Sequence, residues 1–182
     1  MNLTDAELIA GCKRRSRKHE ELFFKRYYGY VMGISLSYAK SRDIALEITN
    51  DTFLKGFDSL QKIQEIPSPK AWLRRICVNT AIDYYRRHKK FQNHTEADGD
   101  TPVFDPVYAP DQMNYQELIR LIQHLPEDHQ LVFNLYEVEG YSHREIAERL
   151  EITESSSRVY LTRAKTRLRQ LIQNHFKEYA GR

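Results

Sequence analysis

Two groups of side chains in this sequence are suited to gripping a polyanion, and none is arranged for covalent chemistry. Between Lys70 and Lys90 seven basic residues stand against one acid, Asp83, a net charge of +6. At about 100° per residue, Arg75, Asn79 and Arg86 fall together on one side of a helix, with Ile82 beside them; Lys89 and Lys90 extend the charge. Arginine and lysine supply phosphate contacts, and an asparagine among them can make a paired hydrogen bond to a base edge. Trp72, Tyr84 and Tyr85 are neighbouring rings that could stack on unpaired bases. The second group spans 158–169, where Arg158, Arg163, Lys165, Arg167 and Arg169 occur without a single acid. Catalytic patterns are missing. The seven histidines make no His-x-x-x-His pair, and neither cysteine lies near one in metal-ligand spacing. There is no glycine-rich phosphate loop and no Gly-x-Ser-x-Gly elbow. The expectation is a binding protein with no metal, no cofactor and no enzymatic activity.

Helices must carry both groups. Leu22, Phe23, Tyr27, Tyr30, Val31 and Ile34 recur every three or four residues, the stripe of one buried helix face. Ile44, Ile48, Phe53 and Phe57 mark a second helix, with Asp43 placed to cap it and Asp51 on its polar side. Pro67-Ser68-Pro69 breaks the chain before a third, 70–90, whose inner face is Leu73, Ile76, Cys77, Thr80 and Tyr84. Further on, Leu118, Leu121, Ile122 and Leu125 form a stripe ending at Pro126, and Leu131, Val132, Leu135 and Val138 form another closed by Gly140. Ser142 with Glu145 reads as a capping box opening a short helix through Leu150. The turn Glu151-Ile152-Thr153 leads into a long helix from 154 to about 174, capped by Thr153. Short helix, tight turn and longer basic helix make a helix-turn-helix. On its last helix Leu161, Ala164, Leu168 and Leu171 face inward, while Ser155, Ser156, Val159, Arg163 and Arg167 project outward with Tyr160 at the edge. Small hydroxyls near the helix start allow close approach to a duplex. Ser157 falls on the inward face, where an aliphatic residue is expected; its hydroxyl can bond back to the preceding turn. On that reading Ser157→Val raises the melting temperature with little loss of DNA affinity.

Charge is segregated along the chain. Its 182 residues carry a net +3, but 1–90 hold +8, 91–112 hold −5, and 113–182 balance. The middle stretch contains Glu96, Asp98, Asp100, Asp105 and Asp111, no basic residue, and four of the 13 glycines and prolines. It reads as an extended acidic linker between two helical domains, 1–90 and 113–182, so the fold class expected is all-α. Two cysteines, Cys12 and Cys77, point to a reducing compartment rather than a disulfide framework. Ile9-Ala10-Gly11-Cys12 looks superficially like a lipoprotein cleavage site, but no basic residue and no apolar run precedes it. Thr4-Asp5-Ala6-Glu7 reads instead as a capping box. No apolar run approaches the ~20 residues that cross a bilayer. A cytoplasmic location is expected.

These blocks together resemble a known family. Leu125-Pro126-Glu127, Tyr136 through Ser142, Glu145-Ile146-Ala147, and Arg158 through Lys165 resemble the C-terminal helix-turn-helix domain of bacterial extracytoplasmic-function (ECF) sigma factors. Asp51-Thr52-Phe53-Leu54-Lys55, Ala71 through Ile76, Asn79, Ala81-Ile82-Asp83-Tyr84 and Arg86-Arg87 resemble that family's N-terminal promoter-melting domain. The likeness covers roughly 5–90 and 113–175, in the family's order and separation.

The resemblance implies a protein that binds core RNA polymerase and directs it to promoters. Glu47, Asp51, Phe53 and Leu54 would dock on the polymerase. Trp72, Arg75, Asn79, Tyr84, Arg86 and Arg87, with the loop around Ile63–Ser68, would capture and melt the −10 element. Ser155, Ser156, Arg158, Tyr160, Arg163 and Arg167 would read the −35 element. The linker would thread toward the polymerase active-site channel, its acidity mimicking nucleic acid. An anti-sigma factor commonly holds members inactive. Glu151 departs from the family, which usually has glycine there, so a strained or differently shaped turn is expected. The rival reading is a stand-alone regulator that binds duplex DNA through the same helix-turn-helix without polymerase.

Overall fold

In a computed structural model of the chain, the backbone is described for residues 3–92 and 113–180, and side chains for 3–89 and 117–174. Every regular element among the described residues is helical. The acidic linker lies outside the described residues, apart from Phe91 and Gln92, which extend a helix. The chain divides into two compact units, Met1–Glu96 and Ala97–Arg182.

The first unit contains α1 (Asp5–Lys13), α2 (Arg17–Tyr38), α3 (Arg42–Ser59), a single 3-10 turn (Leu60–Lys62) and α4 (Pro69–Gln92). Local signals set most of its boundaries. Thr4 and Glu7 form the expected capping box on α1. α3 starts earlier than expected: Ser41 Oγ accepts from the Ile44 amide at 3.3 Å, and Asp43 lies inside the first turn. There its carboxylate still faces the positive end of the helix dipole. Ser68 Oγ accepts from the Ala71 amide at 3.3 Å, and Pro69 occupies the first helical position, where no amide hydrogen is needed.

The core of this unit is aromatic on one side and polar-threaded on the other. Phe23 packs edge-on against Phe53, Phe57 and Trp72 at centroid distances of 6.1–6.5 Å. The inner face of α4, at Cys77, meets α2 and α3 through buried hydroxyls of those helices. Thr49 donates to the Ala45 carbonyl at 2.7 Å and lies 2.9 Å from Ser35 Oγ, itself 3.4 Å from Cys77 Sγ. Buried hydroxyls of this kind must be bonded to be tolerated, and these are.

The second unit contains α5 (Met113–Gln123), α6 (Glu127–Phe133), a π-helical turn (Asn134–Val138), α7 (His143–Leu150) and α8 (Glu154–Ala180). The expected stripe from Leu131 to Val138 is broken by the π turn. Leu131, Val132 and Leu135 are buried, but the extra residue per turn rotates Val138 outward, where it is 53% exposed. Gly140, at φ 77°, closes the segment in a conformation that favours glycine. Ile122, Leu125, Ala164 and Leu168 form one core cluster, joined by Leu121 and Phe133.

Candidate nucleic-acid interface

α4 packs against both α2 and α3. Leu73, Cys77, Val78, Thr80, Ala81, Ile82, Tyr84 and Tyr85 are all buried. At about 100° per residue they span an arc of roughly 200°, wider than the stripe expected from sequence. What remains is a strip bearing Arg75, Arg86, Asn79 and Trp72, with Arg75 exposed and the other three half-buried. Ile82 closes the core beside this strip and is not part of it, at 3% exposure. Asp83, the one acid of α4, is paired with Lys55 at 2.8 Å.

Two rings do not stand where a base could reach them. Tyr84 stacks on His88 at 4.1 Å, its hydroxyl 3.0 Å from His88 Nε2, and Tyr85 Oη accepts from Lys89 at 2.7 Å. Both are core residues: Tyr84 lies on the expected inner stripe, and the wide buried arc of α4 takes in Tyr85 as well. Trp72 lies on the outer strip, with its inner edge against Phe23 and over Gly56. Arg87 is exposed, 3.8 Å from Asp51 of α3.

α3 divides the expected docking residues. Phe53 is 3% exposed and packs between Phe23, Phe24 and Phe57, so it belongs to the core. Its phase differs by one residue from Leu54, which is 63% exposed. Glu47 is exposed and Asp51 half-buried. Leu46, which the sequence reading missed, is 40% exposed and aligned with Asn50 and Leu54 at intervals of four. That spacing was a detectable signal for an outward apolar stripe.

In the second unit, Ser142 and Glu145 form the expected capping box on α7. Glu151 ends α7 at φ 55° and ψ 45°, and the Ile152 amide returns to the Ala147 carbonyl at 3.1 Å. A non-glycine residue therefore holds the left-handed position of the turn. Thr153 Oγ1 accepts from the Ser156 amide at 3.0 Å and lies 2.8 Å from the hydroxyls of both Ser155 and Ser156. Three hydroxyls thus gather at the amino end of α8, where free amides and the helix dipole favour an anion. Arg163 and Arg167 are exposed further along, while Arg158 is held by Glu154 at 2.9 Å. Tyr160 is half-buried and tilts against His129 at 5.3 Å. Burial, then the Asp128 carboxylate that accepts its hydroxyl, push its phenol above the usual value. Its hydroxyl is engaged by α6.

Ser157 is fully buried, and its hydroxyl does not bond back to the preceding turn. It lies 2.9 Å from His143 Nδ1 at the start of α7. The His143 ring stacks on Tyr136 at 4.5 Å. The serine at an aliphatic position is therefore one half of a polar pair that joins the two helices of the helix-turn-helix. Lys165 of α8 also binds Glu137 at 2.6 Å, tying the π turn to the same helix.

The described residues contain no cluster of His, Cys, Asp and Glu able to hold a metal ion. No described helix is long and apolar enough to cross a membrane. Both cysteines are buried, and burial pushes the Cys12 thiol up to about 11.

Residues 23–91 match the family described as Sigma-70 region 2, and residues 115–168 match Sigma-70, region 4. The chain is 28% identical over 193 residues to an ECF RNA polymerase sigma-E factor of Haemophilus influenzae, covering 94% of this chain and 96% of that protein. It is 25% identical over 183 residues to the sigma-E factor of Escherichia coli, covering 94% and 95%. Among solved structures, that of CnrH in complex with the cytosolic domain of CnrY aligns with a TM-score of 0.47 at 17% identity, over 92% of this chain and 96% of that one. With both sigma-70 regions present in order and the relatives matched along nearly their full length, the chain belongs to the ECF family of RNA polymerase sigma factors.

Proposed function

We propose that the two units divide the work of promoter-specific initiation. The outward face of α3, with Leu46, Glu47, Leu54 and the adjoining Asp51, docks on core RNA polymerase. The strip of Arg75, Asn79, Arg86 and Trp72 on α4, flanked by Arg87 and the loop 63–68, captures and melts the −10 element. The amino end of α8, with Ser155, Ser156, Arg158, Arg163 and Arg167, reads the −35 element, and Tyr160 holds that helix against α6. The acidic segment 91–112 joins the two surfaces and runs toward the polymerase channel. The chain supplies no catalytic group of its own, and it works in the cytoplasm with the polymerase. An anti-sigma partner that covers the α3 face would hold it inactive.

The observation that carries this reading is the exposure of an apolar-acidic face on α3 next to a basic strip on α4. Docking and nucleic-acid chemistry thus occupy separate faces of one small unit. A face of two exposed leucines among carboxylates suits a protein partner with basic rims, and the arginine strip suits phosphates.

The test is co-elution of the full chain with bacterial core polymerase. A stoichiometric complex is expected, and Leu54→Asp breaks it without loss of helix content, because the side chain is 63% exposed. Phe53 is unsuitable for this purpose, since truncating a buried phenylalanine costs about 3–5 kcal/mol and destabilises the whole unit. Absence of a complex, together with tight binding to a palindromic duplex by the chain alone, would favour the stand-alone regulator.

A further inference from the structure

The loop 63–68 runs from the 3-10 turn to the start of α4, and one distant side chain holds its backbone. Lys13, the last residue of α1, donates from Nζ to the carbonyl of Ile63 at 2.6 Å and to that of Gln64 at 2.8 Å. The contact is returned: Gln61 Nε2 donates to the Lys13 carbonyl at 2.7 Å. Ammonium-to-carbonyl bonds are charge-assisted and stronger than neutral ones. Two successive carbonyls aimed at one point also repel each other, so a cation between them favours this backbone shape.

The anchor itself is rigid. α1 ends with Arg15 at φ 54°, the Arg15 amide bonded to the Cys12 carbonyl at 2.8 Å and the Ser16 amide to the Gly11 carbonyl at 3.1 Å. That pair of bonds is the Schellman pattern. Gly11 sits against His19, so that a Cβ there would run into the ring, and His19 Nδ1 lies 2.8 Å from Ser16 Oγ. The corner between α1 and α2 is thus packed without slack, and Lys13 projects from it to the loop. In the same loop Gln64 and Glu65 are exposed.

We propose that Lys13 is a positioning residue for promoter opening: by clamping the Ile63 and Gln64 carbonyls it fixes the loop in the shape that receives an unpaired −10 base. The inference rests on the reading of that loop given above. It assigns to α1, which neither sigma-70 match covers, a role in melting exerted through the loop and without contact to DNA.

The experiment uses holoenzyme assembled from core polymerase and the full chain. Open-complex formation is followed by the fluorescence of 2-aminopurine placed in the −10 element, across a set of single-base −10 variants. Lys13→Met keeps the chain length and removes all donors. It is expected to slow opening roughly tenfold, as loss of charge-assisted bonds predicts, and to flatten the preference among −10 bases. Core binding stays at the wild-type level, and Lys13→Arg, which retains donors for both carbonyls, recovers most of the rate. Gln64→Ala with Glu65→Ala tests the loop reading separately. If that double variant opens promoters with wild-type rate and base preference, the loop is not the capture element. If it is impaired while Lys13→Met behaves as wild type, the positioning role is wrong. A Lys13→Met variant that loses core binding in proportion to opening, and that Arg fails to rescue, would reduce the residue to a structural staple.

Discussion

Ser157 shows how one buried hydroxyl reverses an expectation. Seen as a serine on an apolar face, it invites replacement by valine. Its partner His143 turns that into a loss, because valine would leave the imidazole Nδ1 facing an apolar wall. Losing the hydrogen bond to a half-buried imidazole costs about 0.5–1.5 kcal/mol, and overpacking adds to it, so Ser157→Val is expected to lower the melting temperature. A rise would mean that His143 swings out to water. The same pair predicts a pH dependence. Burial holds the His143 imidazole below its usual 6.5; Arg158 lowers it further, Glu154 opposes, and Lys165 lowers it again. With its folded value depressed, His143 contributes stability that is complete above 6.5 and is lost as pH falls through the folded value. Urea unfolding followed by circular dichroism from about pH 7.5 to pH 5 should show this loss, and His143→Phe should flatten it. Trp72, the one tryptophan in the chain, reports separately on the first unit.

The elements were legible where their signals are local. Both capping boxes involve residues three apart, so Thr4–Glu7 and Ser142–Glu145 could be read directly, and the structure contains both. The π turn at Asn134–Val138 could not, since the residue types of that segment suit a regular helix equally well. The resemblance grouped Phe53 with Leu54, although periodicity places only Phe53 on the apolar stripe: adjacent residues on a helix differ by about 100°, and one points to the core while the other points to solvent. The width of the buried arc on α4 depends on being clasped by α2 and α3, so Tyr85, outside the expected stripe, looked available for stacking when it is not. Glu151 was legible as an anomaly, and the left-handed φ of 55° explains it. Glu151→Gly removes the Cβ strain there and is expected to stabilise the second unit by up to about 1 kcal/mol, offset in part by greater freedom of the unfolded chain. Ser142→Ala, which deletes a cap at the other end of the same helix, should destabilise it by about 1 kcal/mol. Thermal unfolding of the two variants against wild type measures both; equal shifts in one direction would contradict the assignment of the turn.

At the scale of the whole molecule, a net charge of +3 says little, and its distribution says more. The basic strips lie on separate units, one around Arg75 and Asn79, the other around Arg163 and Arg167, and an acidic segment connects them in sequence. If α8 grips duplex DNA and α4 grips the opened strand, their substitutions must differ in kind. Removing a phosphate contact weakens binding whatever the state of the −10 element, and reduces the salt dependence by about one unit of slope. Removing a group that captures unpaired bases matters only while unpairing remains to be driven, because that step carries the unstacking cost. Holoenzymes with Arg163→Ala and Asn79→Ala should therefore separate on two templates, a full duplex and one with a mismatched, pre-opened −10 segment. The pre-opened template should restore most of the Asn79→Ala defect and almost none of the Arg163→Ala defect. The two free-energy losses should add on the duplex, since the residues sit in different units. Restoration of Arg163→Ala by the bubble would place α8 in melting and overturn the division of labour between the units.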